Sequence, residues 1–179
     1  MVNSRTFVWA LAGIGFGIAL SVLVPLFRTQ PAAMNGPAGL AGEKAPVFVL
    51  HDEVGADVSL ARYRGNVVVM NLWASWCPPC RAEMPDLQRL ADAYRGRSLA
   101  IVGVNEGETV ERARAFAGAL KIAFPIWMDE QQRYGRAYGA LGLPTTVIVG
   151  RDGTVVRGFD GALSYAQMRA AVAPLVETH

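Results

Sequence analysis

Cys77 and Cys80 are the only cysteines in this 179-residue chain, and two prolines separate them. They sit in the stretch NVVVMNLWASWCPPCRAEM, where an apolar run, Val67–Trp73, leads in and a helix-compatible segment, Arg81–Tyr94, leads out. Strand, tight turn and helix is an arrangement that makes a thiol reactive. A cysteine at a helix N-terminus feels the positive end of the dipole and unpaired backbone N–H groups, and both favour its thiolate. A second cysteine three positions on lies about one turn away and can close a small disulfide with the first. The pair reads as a redox centre. A purely structural bridge is a poorer use, because so short a loop removes little entropy from the unfolded chain. Zinc wants four ligands, and the chain adds only His51 and His179. Covalent haem attachment wants a histidine after the second cysteine, where Arg81 stands. Copper(I) on two thiolates stays open on composition.

The elements that must position this pair follow from periodicity. Val67–Trp73 is apolar on both faces, as a central strand between helices would be. Met84, Leu87, Leu90, Ala91 and Tyr94 recur at helical spacing and predict a helix that faces the sheet. Leu99–Val104 reads as a second buried strand. Thr109–Leu120 reads as a helix with Thr109 as N-cap and Val110, Ala113, Phe116 and Ala117 as its apolar stripe. A short strand at Phe124–Met128 and a helix at Gln132–Tyr138, ended by Gly139, follow. Thr146–Val149 and Thr154–Arg157 flank an Asp152-Gly153 turn and predict a hairpin. Ser164–Val176 predicts a closing helix with Ser164 as its cap. Ahead of the cysteines, Val47–Leu50 and Val58–Leu60 predict a short hairpin around Asp52–Gly55. Strands alternating with helices, then a terminal hairpin and helix, imply an α/β fold whose mixed central sheet carries helices on both faces.

Composition adds a second feature. Hydrophobic residues make up 52% of the chain, and the excess lies at the front. Phe7–Phe27 holds 21 uncharged residues, about 31 Å as a helix and long enough to cross a bilayer core. A cleaved signal peptide usually has an apolar core of only about 7–15 residues, so the run reads as one uncleaved transmembrane helix. Residues 1–28 are then a cytoplasmic N-terminus and anchor, 29–42 a Pro/Gly/Ala-rich flexible linker, and 43–179 the globular domain. The net charge of +2 and the scatter of the arginines argue against a nucleic-acid partner.

Trp73-Ala74-Ser75-Trp76-Cys77-Pro78-Pro79-Cys80 resembles the active-site motif of the thioredoxin superfamily. Glu83, Val104-Asn105-Glu106-Gly107-Glu108, Leu143-Pro144-Thr145-Thr146 and Arg151-Asp152-Gly153-Thr154 narrow the resemblance to the membrane-anchored TlpA/ResA/DsbE (CcmG) branch, over roughly Gly42 to Glu177. That resemblance implies a thioredoxin fold with an N-terminal hairpin and a central insertion around Asn105–Leu120. It implies a thiol-disulfide oxidoreductase in which Cys77, on the exposed side of the turn, attacks a partner disulfide and the shielded Cys80 resolves the mixed disulfide. Leu143-Pro144 corresponds to the family's cis-proline, which helps pair an extended substrate by strand addition, and Trp76 to a cover over the Cys77 sulfur. Trp73 and Trp127 are expected in the core.

Glu83 lies one turn beyond Cys80 on the same helical face. It is either a carboxylate that tunes or relays the proton of the shielded thiol, as the branch implies, or a solvated helical glutamate. Thioredoxin's buried acid on the central strand corresponds to Asn71, which cannot ionise, so Glu83 is the nearest substitute. Glu106 and Glu108 either line the site or stand in a solvated loop, and the loop is the reading preferred. No cofactor or metal is expected. The resemblance further implies disulfide-bearing protein substrates (apocytochrome c or a copper-site assembly protein), a membrane thiol transporter as electron donor, and single-pass attachment to the bacterial inner membrane with the domain on the periplasmic side. A broad disulfide oxidase or isomerase, and a non-catalytic copper(I) delivery module, are the alternative functions. Thiol peroxidase chemistry is disfavoured because the Thr-x-x-Cys pattern is missing.

Overall fold

The structure is a computed structural model and describes residues 40–177. The expected anchor, and the expected linker up to residue 39, lie outside the described residues. Among the described residues no helix is long and apolar enough to cross a membrane. The last linker residues are held to the domain: Gly42 N donates to Val155 O at 2.9 Å.

The elements run β1 (Leu50–Asp52), β2 (Asp57–Val58), a 3-10 turn (Leu60–Tyr63), β3 (Val67–Trp73), α1 (Pro78–Ala93), β4 (Leu99–Glu106) and α2 (Val110–Ala119). They continue with β5 (Ile126–Asp129), α3 (Arg133–Tyr138), β6 (Thr145–Val149), β7 (Val155–Asp160) and α4 (Tyr165–Glu177). One seven-stranded sheet has the order β2-β1-β5-β4-β3-β6-β7. β3 pairs in parallel with β4, and β4 with β5, whereas β6 runs antiparallel to both β3 and β7. The mixed sheet and the fold class expected from the sequence are therefore present. The predicted front hairpin shrinks to two short strands, because Leu60 enters the 3-10 turn instead of extending β2.

β3 is central, and every one of its seven residues is buried. Alternation sends Val67, Val69 and Trp73 into the core shared with α1, α2 and α4, while Val68, Met70 and Leu72 pack toward Tyr134 and Tyr138 of α3. Helices thus cover both faces. Met84, Leu87 and Leu90 of α1 are fully buried, and each such burial contributes roughly 1.5–3 kcal/mol. Ala91 and Val110, expected in the two apolar stripes, are only partly buried at the edge of this core. Trp73 and Trp127 are core residues as expected. Gly103 explains how Trp73 fits: a Cβ there would lie 2.8 Å from the indole Nε1. Thr109 occupies the N-cap position of α2 without a side-chain cap bond. Ser164 does cap α4, since its N and Oγ meet Gln167 Oε1 at 2.9 and 2.8 Å and its Oγ accepts from Gln167 N at 3.4 Å.

Candidate active site

β3 ends at Trp73, the last residue paired with β4, opposite Asn105. The chain then turns through Ala74-Ser75-Trp76, with Cys77 N donating to Ala74 O at 3.2 Å. α1 begins at Pro78, ahead of the helix-compatible segment Arg81–Tyr94, because proline suits the first helical positions, where an N–H would be unpaired anyway. Cys77 is consequently the N-cap residue. Cys77 and Cys80 form a disulfide with their Cα atoms 5.3 Å apart. Neither proline carries an N–H, and the first donor of the helix, Cys80 N, points to Cys77 Sγ at 3.2 Å.

The exposed position expected for Cys77 needs correction: it is 3% accessible and Cys80 0%, so in the disulfide both are covered and only the order of exposure survives. Trp76, by contrast, is 63% exposed, next to two exposed prolines. The Leu143-Pro144 peptide is cis. Pro144 is buried and Leu143 half-buried. Since Thr145 pairs with Leu72, Pro144 enters β6 at the end of the sheet where β3 gives way to the cysteine turn.

Glu83 is 2% exposed, so it is not a solvated helical glutamate. It follows Cys80 by one turn of α1, and two donors reach it. Asn71 Nδ2 donates to Oε2 at 3.0 Å, and Leu163 N, in the loop before α4, donates to Oε1 at 2.9 Å. Burial dominates these bonds and pushes the Glu83 carboxyl up to about 7, with Asp86 adding to the rise. Asn71 also donates to Thr146 Oγ1 at 3.0 Å, across the β3–β6 register that places the two residues opposite each other. A buried polar line, Thr146–Asn71–Glu83–Leu163, thus runs from β6 through β3 to α1 and the loop before α4. Thr146 and the Leu163 amide escaped the sequence reading; the one polar residue inside an apolar strand, Asn71, was the signal that such a line exists.

The solvated loop expected for Glu106 and Glu108 is wrong. β4 runs on to Glu106, and Glu108 is 5% exposed. Ser75 N donates to Glu108 Oε2 and Ser75 Oγ to Oε1, each at 2.6 Å, and Asn105 Nδ2 donates to Oε2 at 2.8 Å. Burial alone would raise the Glu108 carboxyl; the bonds from the Ser75 hydroxyl, Asn105 and the Ser75 amide outweigh it and hold Glu108 below the usual range. Glu106 is half-buried, faces Asp129 across the β4–β5 register, and is raised by burial first and by Asp129 second.

The AhpC/TSA family matches residues 41–157. The chain belongs to this family. Among its relatives are the thiol-disulfide oxidoreductases named ResA from Geobacillus thermodenitrificans, 37% identical over 86% of this chain and 83% of that protein, and from Bacillus subtilis, 32% identical over 83% and 84%. Of solved structures, a protein described as the thiol:disulfide interchange protein DsbE of Chlorobium tepidum is 28% identical, with a TM-score of 0.71 over 76% of this chain and 97% of that one. StoA of Bacillus subtilis is 27% identical, with a TM-score of 0.61 over 70% and 96%. With the Cys77–Cys80 pair in place, this is a thiol-disulfide oxidoreductase with a thioredoxin-like domain, acting on disulfide-bearing proteins.

The elevated Glu83 gives the oxidoreductase a pH signature. A buried acid that takes its proton more readily in the folded than in the unfolded state stabilises the fold fully below the usual carboxylate range. That contribution is lost as pH rises through about 7. Glu83→Gln keeps the shape, and Asn71 can turn its amide to accept from it. Urea unfolding at pH 5 and pH 8 should show the variant gaining on the parent protein at the higher pH, by up to about 3 kcal/mol. Parallel stabilities at both pH values would contradict a carboxyl that titrates inside the core.

Proposed function

We propose that this oxidoreductase is a membrane-tethered, extracytoplasmic reductase of protein disulfides. The observation that carries the direction of electron flow is the start of α1. Strong oxidants owe their power to a stabilised reduced form, and here Pro78 and Pro79 leave Cys77 Sγ a single helix donor, Cys80 N. Few donors mean a poorly stabilised thiolate, hence a couple that prefers to give electrons. Cys77 attacks the partner disulfide, forms a mixed disulfide and releases the partner's other thiol. Cys80, as its thiolate, then displaces the partner, leaving Cys77–Cys80 oxidised and both partner sulfurs reduced. Glu83 takes or relays the proton of Cys80, which its covered position makes reluctant to ionise. Trp76 and Leu143-Pro144 receive the substrate segment.

The run Phe7–Phe27 supplies the tether, in the bacterial inner membrane with the domain on the periplasmic side. The names of the relatives, thiol-disulfide oxidoreductase ResA and thiol:disulfide interchange protein DsbE, support thiol–disulfide exchange as the chemistry. Apocytochrome c or a copper-site assembly protein is the substrate we favour, with a membrane thiol transporter resupplying electrons.

A Cys80→Ala variant, expressed in cells, should accumulate in the membrane fraction as mixed disulfides through Cys77, released by dithiothreitol. Recovery of the variant as a soluble, uncoupled protein would overturn the proposal. Glu83→Gln should slow reduction of a low-molecular-weight disulfide by on the order of 10²-fold and change its pH profile. Stopped-flow traces that superimpose on the parent protein at every pH would remove Glu83 from the reaction.

A further inference from the structure

The backbone ladder between β3 and β4 stops at Trp73–Asn105, so nothing in the sheet holds the next three residues, on which the position of Cys77 depends. Ser75 lies at the middle of that turn, and all its polar groups are engaged. Its N–H and hydroxyl both donate to Glu108, and its carbonyl accepts from Arg81 Nη1 at 3.2 Å. Glu108 is in turn fixed from behind by Asn105, the last β4 residue of the ladder, while Arg112 Nε lies 4.0 Å away on α2. Three donors on one covered carboxylate make a strong attachment, since bonds to an ionised acceptor are shorter and stronger than neutral ones. The carboxylate replaces the missing rungs of the ladder.

We propose that Glu108 is a positioning residue for disulfide exchange: through Ser75 it keeps Cys77 seated at the N-cap of α1 when the Cys77–Cys80 bond is open. In the oxidised protein the disulfide itself ties Cys77 to the helix. Reduction removes that tie, and the Ser75–Glu108 bonds then hold the sulfur where Cys80 N can reach it. Glu108 does not act through its charge. A negative field would disfavour the Cys77 thiolate, so losing charge alone would ease ionisation, whereas losing the seat would hinder it. The two effects have opposite signs.

The test is the pH profile of Cys77 alkylation by iodoacetamide in a Cys80→Ala background, together with the rate of disulfide exchange in the otherwise intact enzyme. Glu108→Ala should move the alkylation profile to higher pH and slow exchange about tenfold, the scale of one charge-assisted hydrogen bond. Glu108→Gln should recover most of the lost rate. Its carbonyl can accept from Ser75 N and Asn105 while its amide donates to a Ser75 hydroxyl that has turned to accept. Ser75→Ala, which deletes only the hydroxyl bond, should shift both readouts in the direction of Glu108→Ala by a few-fold, and it serves alone if Glu108→Ala does not fold. A profile that stays in place while the melting temperature falls would reduce Glu108 to a structural role. A shift to lower pH, shared by the Ala and Gln variants, would assign its effect to charge. Either result overturns the proposal.

Discussion

The helix that carries this redox pair starts Pro-Pro-Cys, and that start constrains everything built around it. An ordinary helix N-terminus offers several unpaired N–H groups to an anion at its cap. Two successive prolines delete the first of them, and the remaining donor, Cys80 N, belongs to the partner cysteine. The sulfur of Cys77 therefore depends on one amide, and its position depends on whatever fixes the turn before the helix. β3 delivers the chain to that turn as a strand buried on both faces, and α1 leaves it packed through Met84, Leu87 and Leu90. The site is a buried strand and a packed helix joined by four residues, Ala74 to Cys77.

Two covered glutamates end up in opposite states through the balance of desolvation against hydrogen bonding. Glu83 has two neutral donors, Asn71 and the Leu163 amide, too few to offset its desolvation, and it holds its proton up to about 7. Glu108 has three donor groups and the nearby Arg112, enough to overcome its burial, and it remains ionised below the usual range. A carboxyl that exchanges its proton near neutrality suits acid–base work. One that stays charged suits attachment. The same residue type is thereby divided between chemistry and geometry by how far hydrogen bonds offset its burial.

Much of this was legible from residue order. The bounds of β3, the helical spacing from Met84 to Tyr94, the Asp152-Gly153 turn and the cysteine pair each follow from local rules, and the structure bears them out. The start of α1 lies ahead of the segment with helical periodicity, because the prolines that form its first turn carry no apolar repeat. Glu108 was misread because burial of a polar residue is decided by partners remote in sequence. Ser75 is 33 positions away, and no local pattern announces that its hydroxyl and amide converge on one carboxylate. Leu163 is 80 positions from Glu83 and contributes only a backbone N–H, which side-chain identity cannot reveal. Asn71 was the visible hint, a polar residue in a strand with no solvent face.

The central claim is that a helix start stripped of N–H donors by Pro78 and Pro79 makes the Cys77–Cys80 couple a donor of electrons. Its reduction potential tests this directly, by equilibrating the folded domain against glutathione buffers of graded ratio and counting free thiols after acid quenching. The account requires a potential near the roughly −270 mV of thioredoxin, with the pair still oxidised in mildly oxidising buffer. A pair that is fully reduced in such buffer, near the roughly −120 mV of a strong oxidant, would contradict it.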